Sequence, residues 1–413
     1  MKTIRLLFVT SLQPVIIALL AQTAATEGYV IREVMSGLVS PRGMAFGPDG
    51  GLYVAEAGRG GSGPGIMMGN GKPAFYGASG GVSRLLNGRQ ERVLDGLPSL
   101  ANSSGQDVRG LNDILFDDSG QAFGLFGLGA NSRLRHTLGP AGPDFATLMQ
   151  LPMASAGSFA RVADIAGHDL TSNPDGVSNY SNPVGIALAP GGGFLVADAG
   201  VNTFLNVTSA GEVATLGVLP TLANPSPVGP TRFQSMPTSI TVGPDGAYYI
   251  GQITALPASF PVRTLDPNPN VYRFDPATNQ LTVAYSGYTN IVDLTFGGDG
   301  NLYVLHVSSN SLASAAGPGD GALIKIDPRT GSRSVIASAG LSRPTSVLAG
   351  GDGTLYVTNG GSLATGGQVL SITPVPEPTS LLLVFCAAGA CSFRRVPRRR
   401  RPGACRASGR FDD

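Results

Sequence analysis

Cysteine is nearly absent from this chain of 413 residues, and the few that occur are confined to one end. All three, Cys386, Cys391 and Cys405, lie close to the C-terminus. The rest of the chain therefore has no disulfide, no cysteine nucleophile and no cysteine metal ligand. A domain without disulfides must be stabilised by its hydrophobic core, and a chain of this length can bury a sufficient one.

Charge is also scarce, since 13% of the residues are charged and the formal net charge is +1. That balance conceals a basic C-terminal tail, and the long body of the chain is mildly acidic. An acidic body offers no positive surface to a nucleic acid, so we predict no nucleic-acid partner. Long helical heptads are missing, whereas glycine (59) and proline (31) are abundant. This composition is typical of many short strands joined by tight turns, and it predicts an all-β fold.

The N-terminal residues have the order of a secretory signal. Lys2 and Arg5 precede an apolar run that ends near Leu20, and small residues follow up to Ala25. We therefore predict a signal peptide over residues 1–25. A retained N-terminal anchor is the alternative, although the apolar run is short for a membrane span.

The C-terminal residues, 374–413, predict a second sorting signal. Pro376, Glu377 and Pro378 precede an apolar run and then a cluster of arginines. This order resembles the PEP-CTERM signal of Gram-negative bacteria, and the resemblance implies recognition by an exosortase. An apolar stretch that ends in arginines halts export with its positive side in the cytoplasm. A plain single-span anchor is the alternative.

The two signals together predict where the protein resides. The secretion machinery and an exosortase would be its partners during export. The mature protein would then occupy the periplasm, the outer surface or the extracellular matrix of a Gram-negative bacterium. It would contact the membrane only through a transient C-terminal anchor.

A single unit recurs between the two ends of the chain. Each copy consists of a short apolar strand, a turn that closes on glycine, and a second apolar strand. The turn glycines are Gly50, Gly120, Gly192, Gly246, Gly300 and Gly353. A second strand pair follows most copies, and the first such pair flanks Asn87 and Gly88, a type I′ hairpin signal. Four strands make one propeller blade, so six repeats predict a six-bladed β-propeller over residues 26–373.

The two ends of the repeat region predict how the ring closes. The last repeat has one clear strand, 369–372, after its first strand pair, and the body begins with a lone strand at 29–35. A propeller closes when the N-terminal strand completes the last blade, because this removes an exposed sheet edge. An open β-solenoid is the alternative.

Equivalent repeat positions form rings around a propeller axis, and three such rings contain polar residues. The first ring, early in the first strand of each repeat, consists of Arg42, Asn112, Val184, Thr238, Val292 and Thr345. The second ring, one residue further on, consists of Gly43, Asp113, Gly185, Ser239, Asp293 and Ser346. The third ring, at the end of the next strand, consists of Glu56, Phe126, Asp198, Gln252, His306 and Asn359.

Seven of these residues are candidate ligand or channel-mouth residues: Glu56, Asn112, Asp113, Asp198, Gln252, His306 and Asn359. They predict a polar mouth that binds a ligand or a cation. Ca²⁺ is the candidate cofactor, because a hard cation needs several converging oxygens. Asn112 and Asp198 are its candidate ligands. In the alternative interpretation these groups cap strand ends and satisfy loop backbone. No catalytic residue is assigned, because the three histidines lack ligand-like spacing and no Ser-His-Asp arrangement can be identified.

Several segments of the repeat region resemble a known family. Residues 40–58, 109–113, 181–185 and 196–200, together with Asn202, look like the ScyD/ScyE family, which is associated with gene clusters for the pigment scytonemin. The resemblance implies an NHL-like propeller outside the cytoplasm, and it implies no established reaction.

A wider resemblance is to the calcium-dependent lactonase propellers of the gluconolactonase kind. It places Asn112 in the slot of a metal-binding asparagine. The other matching slots hold no carboxylate, and Arg42 would repel a cation, so the lactonase site is largely absent.

The predicted function follows from these resemblances and from the polar rings. We expect a binding or structural protein of the cell envelope, whose partner is a glycan, a small molecule or an envelope protein. The alternative is a metal-dependent hydrolase or lactonase, or a maturation factor for a scytonemin-type pigment. A shared fold alone does not decide between them.

Overall fold

A computed structural model describes residues 28–153, 159–177, 179–224, 231–255, 269–310, 319–361 and 364–375. The predicted signal peptide and the sorting motif at Pro376, Glu377 and Pro378 lie outside these residues. Backbone contacts divide the chain after Pro374, and the described architecture belongs to the unit that ends there. Within the described ranges, no helix is long and apolar enough to cross a membrane.

Six antiparallel sheets form the described body, as the six repeats predict. The chain begins with β1 (Tyr29–Leu38). Blade 1 contains β2 (Pro41–Phe46), β3 (Leu52–Glu56), β4 (Gly65–Met67), β5 (Pro73–Leu86) and β6 (Arg89–Ala101). Blade 2 contains β7 (Leu111–Phe116), β8 (Ala122–Phe126), β9 (Thr147–Gln150) and β10 (Ala160–Asp164). Blade 3 contains β11 (Pro183–Leu188), β12 (Phe194–Asp198), β13 (Thr203–Val207) and β14 (Val213–Val218).

The remaining three blades follow in chain order. Blade 4 contains β15 (Leu222–Ala223), β16 (Arg232–Val242), β17 (Tyr248–Ala255), β18 (Val271–Asp275) and β19 (Gln280–Tyr285). Blade 5 contains β20 (Ile291–Phe296), β21 (Leu302–His306), β22 (Ala322–Ile326) and β23 (Arg333–Ala337). Blade 6 contains β24 (Ser346–Ala349), β25 (Leu355–Asn359) and β26 (Gly367–Pro374). A kinked 3-10 segment (Ser132–Asp144) precedes β9, and helix α1 (Ile165–Ser172) follows β10.

The N-terminal strand completes the last blade, which confirms the predicted closure. The sheet order is β1-β26-β25-β24, and the β1–β26 register runs from Tyr29 opposite Pro374 to Leu38 opposite Gly367. β24 in turn contacts β2, so the ring of inner strands β2, β7, β11, β16, β20 and β24 is continuous. The architecture is therefore a closed six-bladed β-propeller, and the alternative prediction of an open β-solenoid is wrong.

Aromatic pairs join neighbouring blades at several points around the ring. Their ring centroids lie 4.8–5.6 Å apart in the pairs Tyr53–Phe116, Phe123–Phe194, Phe204–Phe274, Tyr249–Phe296 and Phe46–Tyr356. The last of these pairs spans the closure between blades 6 and 1. Each such pair contributes about 0.5–1.5 kcal/mol beyond the area it buries. The sequence places one partner of most pairs in a repeated strand position, so the repeat itself builds the contacts between blades.

Candidate functional site

Two cavities occupy the axis of the propeller. The first, here called the mouth pocket, has a volume of about 200 Å³ and is lined by all six residues of the first ring together with Val108, Arg109 and Asn182. The second, here called the channel cavity, has a volume of about 240 Å³ and is lined by the inner strands, including Asp113 and Asp293. Asn112 and Asp113 thus both face the axis, on consecutive layers of the wall.

Most polar side chains of the first ring tie one blade to the next. Each donates a hydrogen bond to a backbone carbonyl at the start of the following inner strand. These bonds are Asn112 Nδ2 to Pro183 O (2.8 Å), Thr238 Oγ1 to Ile291 O (2.6 Å) and Thr345 Oγ1 to Pro41 O (2.8 Å). The side chain of Asn112 therefore contributes to the ring's cohesion as well as to the wall of the mouth pocket.

The two aspartates of the second ring also bridge blades. Asp113 accepts hydrogen bonds from the backbone N–H of Ile114 (2.8 Å) and of Ile186 in blade 3 (3.0 Å). Asp293 accepts from Leu294 N (2.8 Å) and, in blade 6, from Ser346 Oγ (2.7 Å) and Val347 N (2.9 Å).

Gly43, the second-ring residue of blade 1, must be glycine because the side chain of Asp113 occupies the neighbouring space. A Cβ at Gly43 would lie 1.7 Å from Oδ1 of Asp113. Any side chain at position 43 would collide with Asp113, so only glycine fits at this position of the ring.

Burial raises the pKa values of several carboxyl groups of the propeller. It raises the pKa of Asp113 well above its ordinary value, and the nearby charge of Asp293 adds to this shift. Burial likewise raises the pKa of Asp293 to about 6, although its three hydrogen bonds act in the opposite direction. On α1, burial raises the pKa of Asp169 to about 7. These carboxyl groups keep their protons to a higher pH in the folded protein than in the unfolded chain.

We expect the free energy of unfolding to fall as the pH rises from about 4 to about 7, because the folded state holds protons that the unfolded chain has released. Urea unfolding at pH 5 and pH 8 measures this, with the higher midpoint expected at pH 5. Asp113→Asn should make the decline shallower, since its side chain has no proton to lose. A higher midpoint at pH 8 than at pH 5 in the wild-type protein would contradict the prediction.

The residues of the third ring do not line the axial cavities, and each is buried within its own blade. Glu56 accepts hydrogen bonds from Val39 N (2.6 Å) and Ser83 Oγ (2.5 Å) and pairs with Arg92 (2.8 Å). Asp198 accepts from Ser181 Oγ (2.6 Å), Asn182 N (2.7 Å) and Gly200 N (2.9 Å).

The other polar members of the third ring make similar local contacts. Asn359 Nδ2 donates to Gly340 O (3.0 Å), Gln252 Nε2 lies 3.3 Å from Ser235 Oγ, and His306 Nδ1 lies 3.1 Å from Thr289 Oγ1. Burial lowers the pKa of His306 to about 4, so its imidazole is neutral at pH 7. Across the described part of the chain, no hydrogen bond or ion pair joins two members of this ring. Their contacts are those of strand-end caps.

The residues of the mouth pocket do not fit Ca²⁺, the cofactor that the lactonase resemblance implies. A hard cation requires several converging oxygens, usually with carboxylates among them. The first ring supplies no carboxylate, Asn112 directs its amide N–H to Pro183, and two arginines stand at the wall. In the ranges that the structure describes, no three His, Cys, Asp or Glu side chains are grouped so as to hold a metal ion.

Three residues of the axis were not among the sequence candidates. Arg109 lies before the inner strand β7, and Asn182 lies before the inner strand β11 of the next blade. Both residues are therefore outside the repeated strand positions. Asp293 occupies the second ring, and its repeat position could have identified it. The sequence indicates Arg42 only as a residue that repels cations, whereas the structure places it beside Arg109 in the mouth pocket.

No family model matches the chain, and no curated protein matches it either. Solved structures similar to it include a candidate gluconolactonase, at 12% identity over 84% of this chain and 92% of that chain, with a TM-score of 0.47. Virginiamycin B lyase from Staphylococcus aureus is 12% identical over 84% of this chain and 100% of that chain, with a TM-score of 0.44. A protein of unknown function from Bacteroides thetaiotaomicron is 10% identical over 85% and 77%, with a TM-score of 0.49. Similarity at this level indicates no activity for this chain.

Proposed function

We propose that this protein is an exported propeller of the bacterial cell envelope, of the ScyD/ScyE type, that binds a small ligand at its mouth pocket and catalyses no reaction there. One observation carries the proposal. The first ring, where a lactonase-like propeller would need metal-binding oxygens, has no carboxylate, contains Arg42 and lies beside Arg109. The sorting signals at both ends of the sequence and the resemblance of residues 40–58 support the location and the type.

A metal-dependent hydrolase or lactonase is the second candidate, because Asn112 and Asp113 both face the propeller axis. Their hydrogen bonds favour a structural role instead. Asn112 donates to Pro183 O, and the carboxylate of Asp113 accepts from two backbone N–H groups.

Metal content and thermal unfolding of the purified protein, with Ca²⁺ and with EDTA, distinguish the two candidates. A ligand present at a hundred times its Kd stabilises the folded state by about 2.7 kcal/mol. We expect no bound metal, no change in the melting midpoint with either addition, and no hydrolysis in a screen of lactones and esters. Asn112→Ala is expected to lower the midpoint, since it removes a bond between blades, and to leave the response to Ca²⁺ unchanged.

The hydrolase would be supported by the opposite pattern. Stoichiometric Ca²⁺, a midpoint lowered by EDTA, and loss of both in Asn112→Ala would overturn the proposed binding function. Turnover of a lactone or an ester that depends on the metal would do the same.

A further inference from the structure

The two arginines of the mouth pocket lie close together. Arg42 Nη2 and Arg109 Nη1 both donate to the carbonyl oxygen of Val108, over 3.3 Å and 2.9 Å. The two guanidinium groups therefore converge on one point of the wall. A Cβ at Gly129 would lie 2.8 Å from Nε of Arg109, so the side chain packs directly against the backbone of that glycine.

The positive charge of this pair is offset only in part, by the charge of Asp107, which acts to raise the pKa of Arg109. Among the described residues, no carboxylate forms an ion pair with Arg42 or with Arg109. Burial and the neighbouring charge of Arg109 lower the pKa of Arg42 to about 10, and burial lowers the pKa of Arg109 as well. Two partly desolvated like charges are unfavourable unless an opposite charge joins them.

Two residues that line the pocket also carry buried polar atoms without partners. Nε of Arg109 is buried and has no hydrogen-bond partner within the described structure. Asn182 is 8% exposed, and its Oδ1 likewise has no partner there. Both atoms lie against glycine backbone, since a Cβ at Gly129 would be 2.8 Å from Nε of Arg109 and a Cβ at Gly127 would be 2.6 Å from Oδ1 of Asn182. Buried polar groups are normally satisfied, so these two leave the wall of the pocket with unmet hydrogen-bonding capacity.

We propose that the mouth pocket binds a small oxyanion, a carboxylate or a phosphate, between the guanidinium groups of Arg42 and Arg109. This inference rests on the proposed binding function and specifies its ligand class. The planar fork of each arginine matches two oxygens of such an anion. A volume of about 200 Å³ admits an acid of a few heavy atoms, or the acidic end of a larger molecule.

Calorimetric titration and thermal unfolding of the full-length protein test the proposal. The probes are sodium phosphate, acetate and glycolate at constant ionic strength in chloride, with glycolamide as the uncharged counterpart of glycolate. We expect saturable binding of an oxyanion and no binding of glycolamide. Because a hydrogen bond to a charged group is worth more than a neutral one, Arg42→Gln and Arg109→Gln should each weaken binding at least tenfold.

The matched control is Arg89→Gln, whose side chain is 83% exposed and is not among the residues that line the mouth pocket. It should bind the oxyanion as the wild type does. If a Gln variant does not fold, Arg42→Lys keeps the charge without the fork and should bind more weakly than the wild type. Preference for phosphate over the carboxylates, or the reverse, identifies which of the two anions the pocket suits.

Two results would overturn the proposal. One is the absence of saturable binding for all three anions, and the other is binding that neither Gln variant weakens. If a neutral sugar raises the melting midpoint while no oxyanion does, the oxyanion assignment is wrong and the binding function stands. If Ca²⁺ binds at the pocket instead, the binding function itself is wrong.

Discussion

The double variant Met35→Ala/Leu38→Ala is expected to lose most of the protein's stability. Both side chains come from β1, are 2% and 1% exposed, and pack with Met44, Leu52 and Val369 where blade 6 meets blade 1. Truncation of a buried Leu or Met to Ala costs about 2–5 kcal/mol. Two such losses are comparable to the entire free energy of unfolding of a typical protein, about 5–15 kcal/mol. Urea unfolding followed by circular dichroism measures the effect.

The matched control uses the same strand. Val30 and Ile31 are each 40% exposed, and their replacement by alanine should change the free energy of unfolding by no more than about 0.5 kcal/mol. The double variant should also aggregate more readily than this control, because a loosened β1 uncovers the edge of β26. Equal unfolding midpoints for the two double variants would show that β1 does not hold the ring closed.

Much of the fold could be predicted from the sequence because every propeller blade repeats the same pattern of apolar strands and glycine turns. The glycine turns mark each blade, and at the hairpin of Asn87 and Gly88 both residues have the positive φ that a type I′ turn requires, 52° and 75°. The offset between a lone first strand and an incomplete last repeat identified the closure. Additions within blades were not predicted, such as β4 and the 3-10 segment Ser132–Asp144, because they follow no repeat.

The candidate site was less predictable, since a repeat position fixes the strand of a side chain but not its partner. Asp198 and Asn112 are both polar residues at repeated positions. Asp198 is buried within its blade, whereas Asn112 lines the mouth pocket at the axis. Arg109 belongs to none of the three rings, so the repeat pattern does not predict that it lies beside Arg42. A pocket built by one periodic and one non-periodic arginine can be identified only when the strands have been assembled.

Replacement of Asp198 by alanine is expected to destabilise the protein by about 3 kcal/mol or more. The carboxylate is 0% exposed and accepts from Ser181 Oγ, Asn182 N and Gly200 N. Alanine would leave these buried donors without an acceptor, and each unsatisfied group costs about 1–3 kcal/mol. Urea unfolding at pH 5 measures the loss. Asp198 was a candidate metal ligand, so the same variant also tests whether any response to Ca²⁺ depends on it.

The conservative variant Asp198→Asn separates a structural role from metal binding. Its Oδ1 can still accept from Asn182 N and Gly200 N, and the Ser181 hydroxyl can turn to accept from the new amide. Burial raises the pKa of Asp198 to about 6, so the wild-type carboxyl is largely protonated at pH 5 and resembles asparagine there. As the pH rises to 8 the wild type loses stability through this group and the asparagine variant does not, so the variant should gain relative to the wild type. A metal ligand would behave differently, because either substitution would abolish a Ca²⁺-induced rise in the midpoint while leaving the metal-free protein close to wild type.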